Sequence, residues 1–500
     1  NPGRAAPSFV VLERFTAWMF RYRTPLVVVF ALLTVVMGGF AFRVRVDASF
    51  HKSLPLDHAY IRTFVKHERQ FGGANRVMVA LRAERGDIFT PEFFAELKKV
   101  TDEVTFLPAV DRAQVQSIRT PNVRYIEIVD DGLSAGNVVP AEFPATPTAE
   151  DFARIRDNIV KSGRLGQLVA NDFTAAMVIG QLVEVDSQTG AKVDYTRVAQ
   201  GLEAIRTRVE RESGGAIRVH IIGFAKFIGD VSEGARAVLT LFGVSIVITA
   251  LLVWNYAGRW KLAAAPIVCS LVAVVWQLGA LTALGYGIDP FSILVPFLVF
   301  AIGVSHGVQK ICTFRNEVFK GQDGPTAARA AFMQLIAPGI VALMTDTVGF
   351  ITMLVIKIPA IQELAITASL GVSVIVITNF FLLPILLSYL RLPPSYAAWV
   401  ARRRKKGDAW WRKLAYGMKS RPSMVIIVLG LALGIWGERT ASRIHIGDTQ
   451  AGRPELRPGS RYNLDTALIA SKFSISADVM SVIVETLPNG SVDHEVVTLM

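Results

Sequence analysis

The amino-acid sequence predicts a polytopic α-helical membrane protein that carries a large mixed α/β domain outside the cytoplasm. Of its 500 residues, 52% are hydrophobic and only 19% are charged, and the mean hydropathy is +0.41. These values are far too apolar for an ordinary soluble protein of this size. Seven apolar runs are long enough, one of them only with its flanks, to cross the roughly 30 Å hydrocarbon core of a bilayer as helices. The polar segment 43–235, between the first and second runs, then forms a domain on one side of the membrane.

The predicted spans follow the apolar runs in order along the chain. They cover residues 25–42, 236–254, 261–284, 291–311, 334–356, 364–390 and 423–442. The first run is not a cleaved signal peptide, because it is internal, is flanked by Arg21 and Arg23, and is followed by no small-residue cleavage pattern. The second to sixth spans therefore make a bundle over residues 236–390.

The charges in the loops predict the orientation, since cytoplasmic loops of membrane proteins are enriched in Lys and Arg. Residues 1–24 and the basic linker 391–422 are predicted to be cytoplasmic, as are the loops after the second and fourth spans. The linker holds ten of the 53 Lys and Arg residues of the chain. We interpret it as a topology determinant that contacts lipid headgroups and not as a nucleic-acid site, with three interfacial anchors: Trp399, Trp410 and Trp411.

Within residues 43–235, alternation and β-branched residues predict strands, and helical periodicity predicts helices. The predicted strands cover 76–82, 122–130, 175–185 and 217–223. The predicted helices cover 91–104, 148–160 and 194–212, of which the last two begin at the capping residues Thr148 and Asp194. The Pro- and Ala-rich stretch 138–148 separates two β-α-β units, so two small α/β subdomains are expected.

An internal repeat relates the two ends of the chain. The segment 22–50, with a basic residue, a proline, an apolar run and a polar exit, is echoed in the same order by 419–448. The similarity continues downstream, where QFGGANRVMVALRAERG (70–86) is answered by KFSISADVMSVIVETLPNG (472–490). The chain therefore contains one complete repeat and the start of a second, with 443–500 opening a second outer domain. Because it begins without Met and stops early in that domain, we expect a longer protein with about five more spans.

This arrangement resembles the resistance-nodulation-division (RND) superfamily of proton-driven exporters, in which one span, a large periplasmic domain and five spans are duplicated. The fourth span, AIGVSHGVQK (301–310), is similar to the fourth-helix motif of the MMPL-type, hydrophobe-exporting branch of that superfamily. Residues 302–304 match the motif. Ser305 and His306 stand where that branch carries an acidic or acid-plus-aromatic pair, so its usual proton-binding acid is not at this position.

The fifth span, ALMTDTVGFITML (342–354), resembles a second motif of the branch, with Gly349 and Phe350 matching and Asp346 at or beside a threonine position. The resemblance implies an RND fold with ferredoxin-like periplasmic porter domains, in the bacterial inner membrane. It implies that the partners are a hydrophobic or lipid substrate and membrane lipids. It leaves open a periplasmic accessory protein and a homo-oligomer.

His306 and Asp346 are the candidate proton relay. A charged side chain within hydrocarbon costs several kcal/mol, so such groups face protein or water and have partners. At 1.5 Å per residue, His306 lies about 8 Å and Asp346 about 12 Å from the cytoplasmic ends of their spans. An imidazole and a carboxylate in a low dielectric can exchange a proton, and Ser305, Thr345 and Thr347 could relay it. The alternative is a static hydrogen bond that only locks the bundle.

Other small and polar residues of the spans are assigned packing or capping roles. Three glycines are predicted to let helices approach closely: Gly303, Gly307 and Gly349. Four amides are interpreted as interhelical hydrogen-bonding or interface residues: Gln277, Gln309, Gln334 and Asn379. Asp289, followed by Pro290, is interpreted as a turn or helix-cap residue on the outer surface.

Enzyme signatures are absent from the sequence, which has no Walker loop, no metal-spaced His/Cys/Glu cluster and no nucleophile elbow. Cys269 and Cys312 lie in or beside apolar runs and offer no disulfide framework. We therefore predict no enzymatic activity, no cofactor and no use of ATP. The predicted function, with its lipid preference taken from the resemblance, is export of a hydrophobic or lipid-like substrate driven by the proton motive force. The alternatives are a lipid sensor or scaffold related to sterol-sensing proteins, and a protein-export accessory of the same superfamily.

Overall fold

The protein folds into two compact units. The computed structural model describes residues 7–45, 51–71, 75–129, 132–144, 146–183, 193–289, 291–393, 395–444, 452–474, 485–486 and 498. The helical unit comprises the described parts of 1–63 and 231–449, and the α/β unit comprises those of 64–230 and 450–500.

The described residues contain fifteen α-helices. In chain order they are α1 (Pro7–Arg21), α2 (Arg23–Ala41), α3 (Ala59–Phe71), α4 (Pro91–Thr105), α5 (Ala149–Lys161), α6 (Tyr195–Glu212), α7 (Phe224–Ala257), α8 (Trp260–Ala283), α9 (Val295–Phe319), α10 (Gly324–Thr352), α11 (Pro359–Ile377), α12 (Leu383–Ser388), α13 (Ser395–Ala415), α14 (Ser420–Ala441) and α15 (Arg461–Lys472). Seven helical stretches are long and apolar enough to cross a membrane, and they contain α2, α7, α8, α9, α10, α11 with α12, and α14. Each coincides with a predicted span, which confirms the polytopic helical class.

The two ends of the turn after the fourth span differ from the prediction. The fourth span is predicted to end at Ile311, but α9 continues for about two more turns to Phe319. The fifth span is predicted to start at residue 334, yet α10 runs without a break from Gly324, capped by the carboxylate of Asp323. A boundary predicted from hydropathy falls where charged residues begin, whereas the backbone hydrogen bonds of the helix continue beyond that point.

The sixth span contains a change of helix type. A π-helical turn, Thr378–Leu382, follows α11 and leads into the short helix α12. Pro384, at the start of α12, lacks the N–H that an uninterrupted α-helix would use. Such π-helical turns are rare and frequently lie at functional sites.

Close helix packing in the bundle rests on one tryptophan and one glycine of α8. The indole Nε1–H of Trp276 donates to Thr34 Oγ1 of α2 at 2.9 Å, and its ring stacks on Phe30 with centroids 5.6 Å apart. A Cβ on Gly279 would collide with the carbonyl of Met37, so only glycine permits this approach. The first span is thereby fixed against the third.

The basic linker forms α13, whose first turns pack on the bundle at the end of α7. Tyr396 donates its hydroxyl to the carbonyl of Ala257 at 2.7 Å, and Trp399 stacks on Tyr396 with ring centroids 5.6 Å apart. Trp399 is half-buried against protein. Trp410 and Trp411 are 59% and 64% exposed, as interfacial anchors require.

The α/β unit contains five strands in its described part: β1 (Arg76–Ala83), β2 (Arg124–Val129), β3 (Gly132–Asn137), β4 (Ala175–Gln181) and β5 (Ile217–Gly223). The central strand β1 is antiparallel to both neighbours in a sheet of order β4-β1-β5, and β2 pairs with β3 as a separate hairpin. Every residue of β4 is buried, and helices α4 and α6 pack on this sheet. The sheet with its helices is therefore the core of the unit.

The expectation of two subdomains separated by 138–148 is wrong. The strand β1, which precedes that stretch, pairs with β4 and β5, which follow it. Long-range strand pairing is decided by packing in three dimensions and is not encoded in local alternation. The strand β3 was not predicted, because its sequence Gly-Leu-Ser-Ala-Gly-Asn has no β-branched residue.

The predicted helices of this unit are confirmed, together with their caps. Thr148 Oγ1 accepts from the N–H of Asp151, whose carboxylate accepts from the N–H of Thr148, in a reciprocal capping box. The carboxylate of Asp194 accepts from the N–H groups of Thr196 and Arg197 at the start of α6. These local signals predict helix starts well, because the capping partners lie within three residues of each other.

The helix after the seventh span, α15, packs on β5 within the α/β unit. Its Asp465, 1% exposed, lies 2.5 Å from Nη2 of Arg206 and 2.8 Å from Nδ1 of His220, and it accepts from the N–H of Ile221 at 3.1 Å. The described residues 452–474, taken from the predicted opening of a second domain, thus belong to the same unit as 64–230. Residues 475–484, which carry most of the predicted repeat of β1, lie outside the described residues.

Candidate functional site

The candidate site centres on α9, which packs tightly on α8 through two glycines. A Cβ on Gly303 would lie 2.7 Å from Oγ of Ser270, and a Cβ on Gly307 would lie 2.5 Å from Cβ of Pro266. Both separations are shorter than van der Waals contact, so these positions of α9 admit no side chain without movement. Gly349 on α10 has no atom within 4 Å of its Cβ position and is not at a close approach in the described residues.

His306 is half-buried on α9, and Ser305 beside it is exposed. The imidazole Nδ1 lies 3.1 Å from the carbonyl oxygen of Ile302, one turn earlier in the same helix. A carbonyl only accepts, so this contact assigns the hydrogen to Nδ1 and leaves Nε2 as the basic nitrogen. No hydrogen bond of Nε2 is found among the described residues.

Asp346 is exposed on α10, between two threonines whose hydroxyl protons are engaged within their own helix. Thr345 donates to the carbonyl of Val341 and Thr347 to that of Leu343, both at 2.8 Å. Each hydroxyl oxygen can still accept a hydrogen bond. The backbone therefore orients both threonine hydroxyls. Each hydroxyl oxygen could accept a hydrogen bond from a proton-donating group.

The structure brings His306 and Asp346 onto neighbouring helices, because α9 and α10 pack against each other. It does not join them directly: in the described part of the chain no hydrogen bond connects the two residues, and no ion pair within 4.0 Å does so. Their depths can be compared through a contact that α10 and α9 share, since Phe380 lies against both Gly339 of α10 and Lys310 of α9.

Counting from that contact, Asp346 is seven residues beyond Gly339, or about 10 Å, and His306 is four residues before Lys310, or about 6 Å. The helices α9 and α10 run in opposite directions because a short turn joins them. Both distances therefore point toward the same side of the membrane, and the two residues differ in depth by about 4 Å.

Lys310 is buried in the bundle and is not among the residues that the sequence singled out. Its surface is 2% exposed, and its Nζ lies 3.4 Å from the ring centroid of Phe380 in the π-helical turn. Lys310 lies one residue before the predicted end of the fourth span at Ile311, and no role is predicted for it. The spacing of four residues from His306 was the available signal, since it puts both side chains on one face of α9.

The four amides differ in their surroundings. Gln334 donates to Oε1 of Glu317 at 3.1 Å, which confirms an interhelical hydrogen bond between α10 and α9. Gln309 is exposed. Gln277 and Asn379 are fully buried, and neither amide nitrogen nor oxygen of either residue has a hydrogen-bond partner among the described residues. The predicted interhelical hydrogen bonds of Gln277 and Asn379 are therefore wrong, and the two side chains remain available to other groups.

Asp289 caps the turn before the fourth span, as predicted, but it is buried and not on the surface. Its carboxylate accepts from the N–H groups of Phe291 at 2.8 Å and Ser292 at 2.7 Å, while only 3% of the residue is exposed. Burial raises the pKa of the Asp289 carboxyl above its usual range, and the backbone donors only partly oppose that shift. Its role is structural, since its donors all belong to its own turn.

Comparison with known proteins decides the family. The sequence profile of the MMPL family matches residues 145–425, more than half of the chain. The chain belongs to the MMPL family. The resemblance to the MMPL-type branch of the RND superfamily is thereby confirmed, and the match contains α7 to α13 with His306, Lys310 and Asp346.

Two curated relatives of this MMPL protein are distant in sequence. A membrane protein of Methanocaldococcus jannaschii, MJ1562, is 20% identical over 375 residues, which cover 72% of this chain and 89% of that protein. The transport protein MmpL10 of Mycobacterium leprae is 23% identical over 261 residues, which cover 48% of this chain and 25% of that protein. The match thus spans about nine-tenths of the first relative and a quarter of the second.

The glycine packing of this MMPL protein gives a test of the bundle. Replacing Gly307 with Ala puts a methyl group against the rigid ring of Pro266, and we expect a loss of about 1–3 kcal/mol in stability. Gly349→Ala, at an open position, should be neutral or stabilising by up to about 1 kcal/mol, because alanine favours the helix. Thermal unfolding midpoints of the two variants in detergent measure the difference, and equal midpoints would show that α8 and α9 do not pack as described.

Proposed function

We propose that this MMPL protein exports a hydrophobic or lipid-like molecule and that the proton motive force drives the export. Family membership and the name of the Mycobacterium leprae relative support transport. The observation that carries the proton part is the presence of His306 and Asp346 within neighbouring spans. Ionisable residues inside a membrane are costly and mark substrate, ion and proton pathways.

In this proposal His306 takes up protons at Nε2, while its Nδ1–H stays on the carbonyl of Ile302. Asp346, about 4 Å away in depth, exchanges the proton with it through water or after a closer approach of α9 and α10. The exposed Ser305 and the oxygens of Thr345 and Thr347 extend the path. Coupling of proton transfer to a conformational cycle requires two proton-exchanging groups that are apart in one conformation and close in another.

We further propose that the α/β unit is a periplasmic porter domain and that the protein resides in the bacterial inner membrane. The unit's order β4-β1-β5 supports a ferredoxin-like porter fold, in which an antiparallel sheet carries helices on one face. At the free edge of β4, Gln116 forms an isolated antiparallel bridge with Ile179, where such a fold has its remaining strand. The substrate would then pass through or along this unit.

The proposal is tested with the full chain reconstituted in vesicles of phosphatidylethanolamine and phosphatidylglycerol that contain a fluorescent phospholipid. We expect the labelled lipid to change leaflet or leave the vesicle only while a pH gradient is imposed, and to stop when a protonophore collapses it. A lipid sensor or scaffold would bind the labelled lipid equally with and without the gradient. Binding without gradient-dependent movement would therefore contradict export.

A further inference from the structure

Lys310 is the most buried cation among the described side chains of the helical unit, with 2% of its surface exposed. No carboxylate in the described residues lies within 4.0 Å of its Nζ. Its close partner is the ring of Phe380, at 3.4 Å from the centroid. Phe380 is itself 1% exposed and lies against Gly339 of α10, so the ring has little freedom to move without α10.

A second, independent feature lies next to this lysine. Asn379 precedes Phe380 in the π-helical turn, is fully buried, and has no hydrogen-bond partner for either Nδ2 or Oδ1 among the described residues. Its Oδ1 lies 3.4 Å from the Cβ position of Gly307, on α9 one turn before Lys310. The π-helical turn thus places the ring of Phe380 against Lys310 and the unpaired amide of Asn379 against the same stretch of α9.

The energies of the two forms of Lys310 are comparable. A charged lysine buried within a membrane span is costly. A desolvated cation–π contact offsets much of that cost. The neutral amine pays no charge penalty and can both accept a hydrogen bond from an amide N–H and donate one to an amide oxygen.

We propose that Lys310 is a further proton-binding residue of the transporter, alternating between an ammonium held over Phe380 and an amine hydrogen-bonded to Asn379. On release, an N–H bond of the ammonium breaks, the proton passes to water toward the cytoplasmic end of the bundle, and the electron pair stays on Nζ. On reloading, the imidazolium of His306, one turn away, supplies the proton. Because Asn379 and Phe380 are successive residues of the π-helical turn, each proton transfer would favour a different position of that turn. This inference rests on the proposed function.

The neighbours of Lys310 leave it free to exchange protons. From α8, the titratable group near it is the buried thiol of Cys269, which is uncharged when protonated. On α9 itself, Glu317 is engaged by Lys320 at 2.7 Å and by Gln334. From α10 the acid is Asp346, two turns beyond Gly339. Further charged groups of packed elements are engaged elsewhere: Glu363 of α11 pairs with Lys52 at 2.7 Å, and Arg403 of α13 donates to Asn255.

The test uses one variant fixed as neutral and one fixed as charged, Lys310→Met and Lys310→Arg, in the vesicle assay with the fluorescent phospholipid. We expect gradient-driven movement of the phospholipid to fall to the level of protein-free vesicles in both variants, because neither side chain can alternate between a charged and a neutral form. Lys261→Met is the matched control, since Lys261 is an exposed lysine that also stands over an aromatic ring, that of Trp260 at 5.8 Å. It should transport like the unmodified protein.

A purely structural cation–π role would let Lys310→Arg transport, and a purely space-filling role would let Lys310→Met transport; either result would overturn the proposal. A second measurement covers misfolding of these variants. The unmodified protein is labelled with ¹⁵N-lysine in nanodiscs and its NMR spectrum is recorded at the two pH values used on the two sides of the vesicle. The Lys310 resonance is assigned as the one that is missing from the spectrum of Lys310→Met. We expect this resonance to change from that of an ammonium to that of an amine between the two pH values. An ammonium signal that persists over that whole range would contradict the proposal, whether or not the phospholipid is transported.

Discussion

Asp346→Asn should abolish gradient-driven lipid movement while leaving the protein folded. Asparagine has the shape of aspartate but cannot bind and release a proton, so the proposed exchange with His306 stops. Asp346 is exposed and has no ion pair among the described residues, so its replacement leaves no buried partner uncompensated. We expect a stability change within about 0.5 kcal/mol, as for other surface substitutions. Transport in vesicles and thermal unfolding in detergent separate the two effects.

The matched control lies on the same helix. Asp323→Asn also removes one exposed carboxylate, at the N-cap of α10, and asparagine caps a helix about as well as aspartate. Transport and stability of this variant should match those of the unmodified protein. His306→Gln should behave like Asp346→Asn, since glutamine keeps polar atoms but does not take up a proton near neutral pH. If Asp346→Asn transports at the normal rate, the assignment of Asp346 as a proton carrier is wrong.

Asp465→Asn should release α15 from the sheet of the α/β unit. The change leaves the guanidinium of Arg206 buried without its closest countercharge, and breaking a buried ion pair from one side costs about 3–5 kcal/mol. The neighbouring Glu203, 3.0 Å from Arg206, offsets part of this cost, so we expect about 3 kcal/mol. Hydrogen exchange of the α15 amide groups, followed by mass spectrometry, should rise by about a hundredfold.

Asp172→Asn is the control for this prediction, since Asp172 pairs with Lys472 at the other end of α15 but is 44% exposed. Burial raises the pKa of Asp172, but hydrogen bonds from Lys472 and Thr174 outweigh it and lower the pKa to about 2. This pair therefore stabilises the docked helix above a pH of about 4, and the contribution is lost as the pH falls toward 2. A surface pair contributes about 0–1 kcal/mol, so α15 should stay docked in Asp172→Asn. Equal release in both variants would contradict the central role of Asp465.

Much of the fold was predictable because its signals are local or additive. Hydropathy summed over about twenty residues predicts a span whatever the span packs against. The caps at Thr148 and Asp194 were predictable because their partners lie within three residues. The close approach of α9 to α8 follows from Gly303 and Gly307, since small residues permit it wherever two helices cross.

The remaining features depend on contacts between residues far apart in the chain. Asp465 lies more than 240 positions from His220, and no periodicity in α15 indicates which strand it will meet. Lys310 was missed because composition places a charge at the end of a span, whereas Phe380, from another helix, stabilises it inside. The unpaired amide of Asn379 lies in a π-helical turn, which no residue type specifies. Functional polar groups of this kind are where local rules are expected to fail.

In the proposed function, proton movement and lipid movement are coupled in the helical bundle. The direct measurement records both in the same vesicles, with a pH-sensitive dye inside and a fluorescent phospholipid in the membrane, as the imposed gradient is varied. We expect proton influx and lipid movement to rise together with the gradient and to be lost together in Asp346→Asn. Lipid movement that continues at the same rate after a protonophore has collapsed the gradient would contradict this coupling.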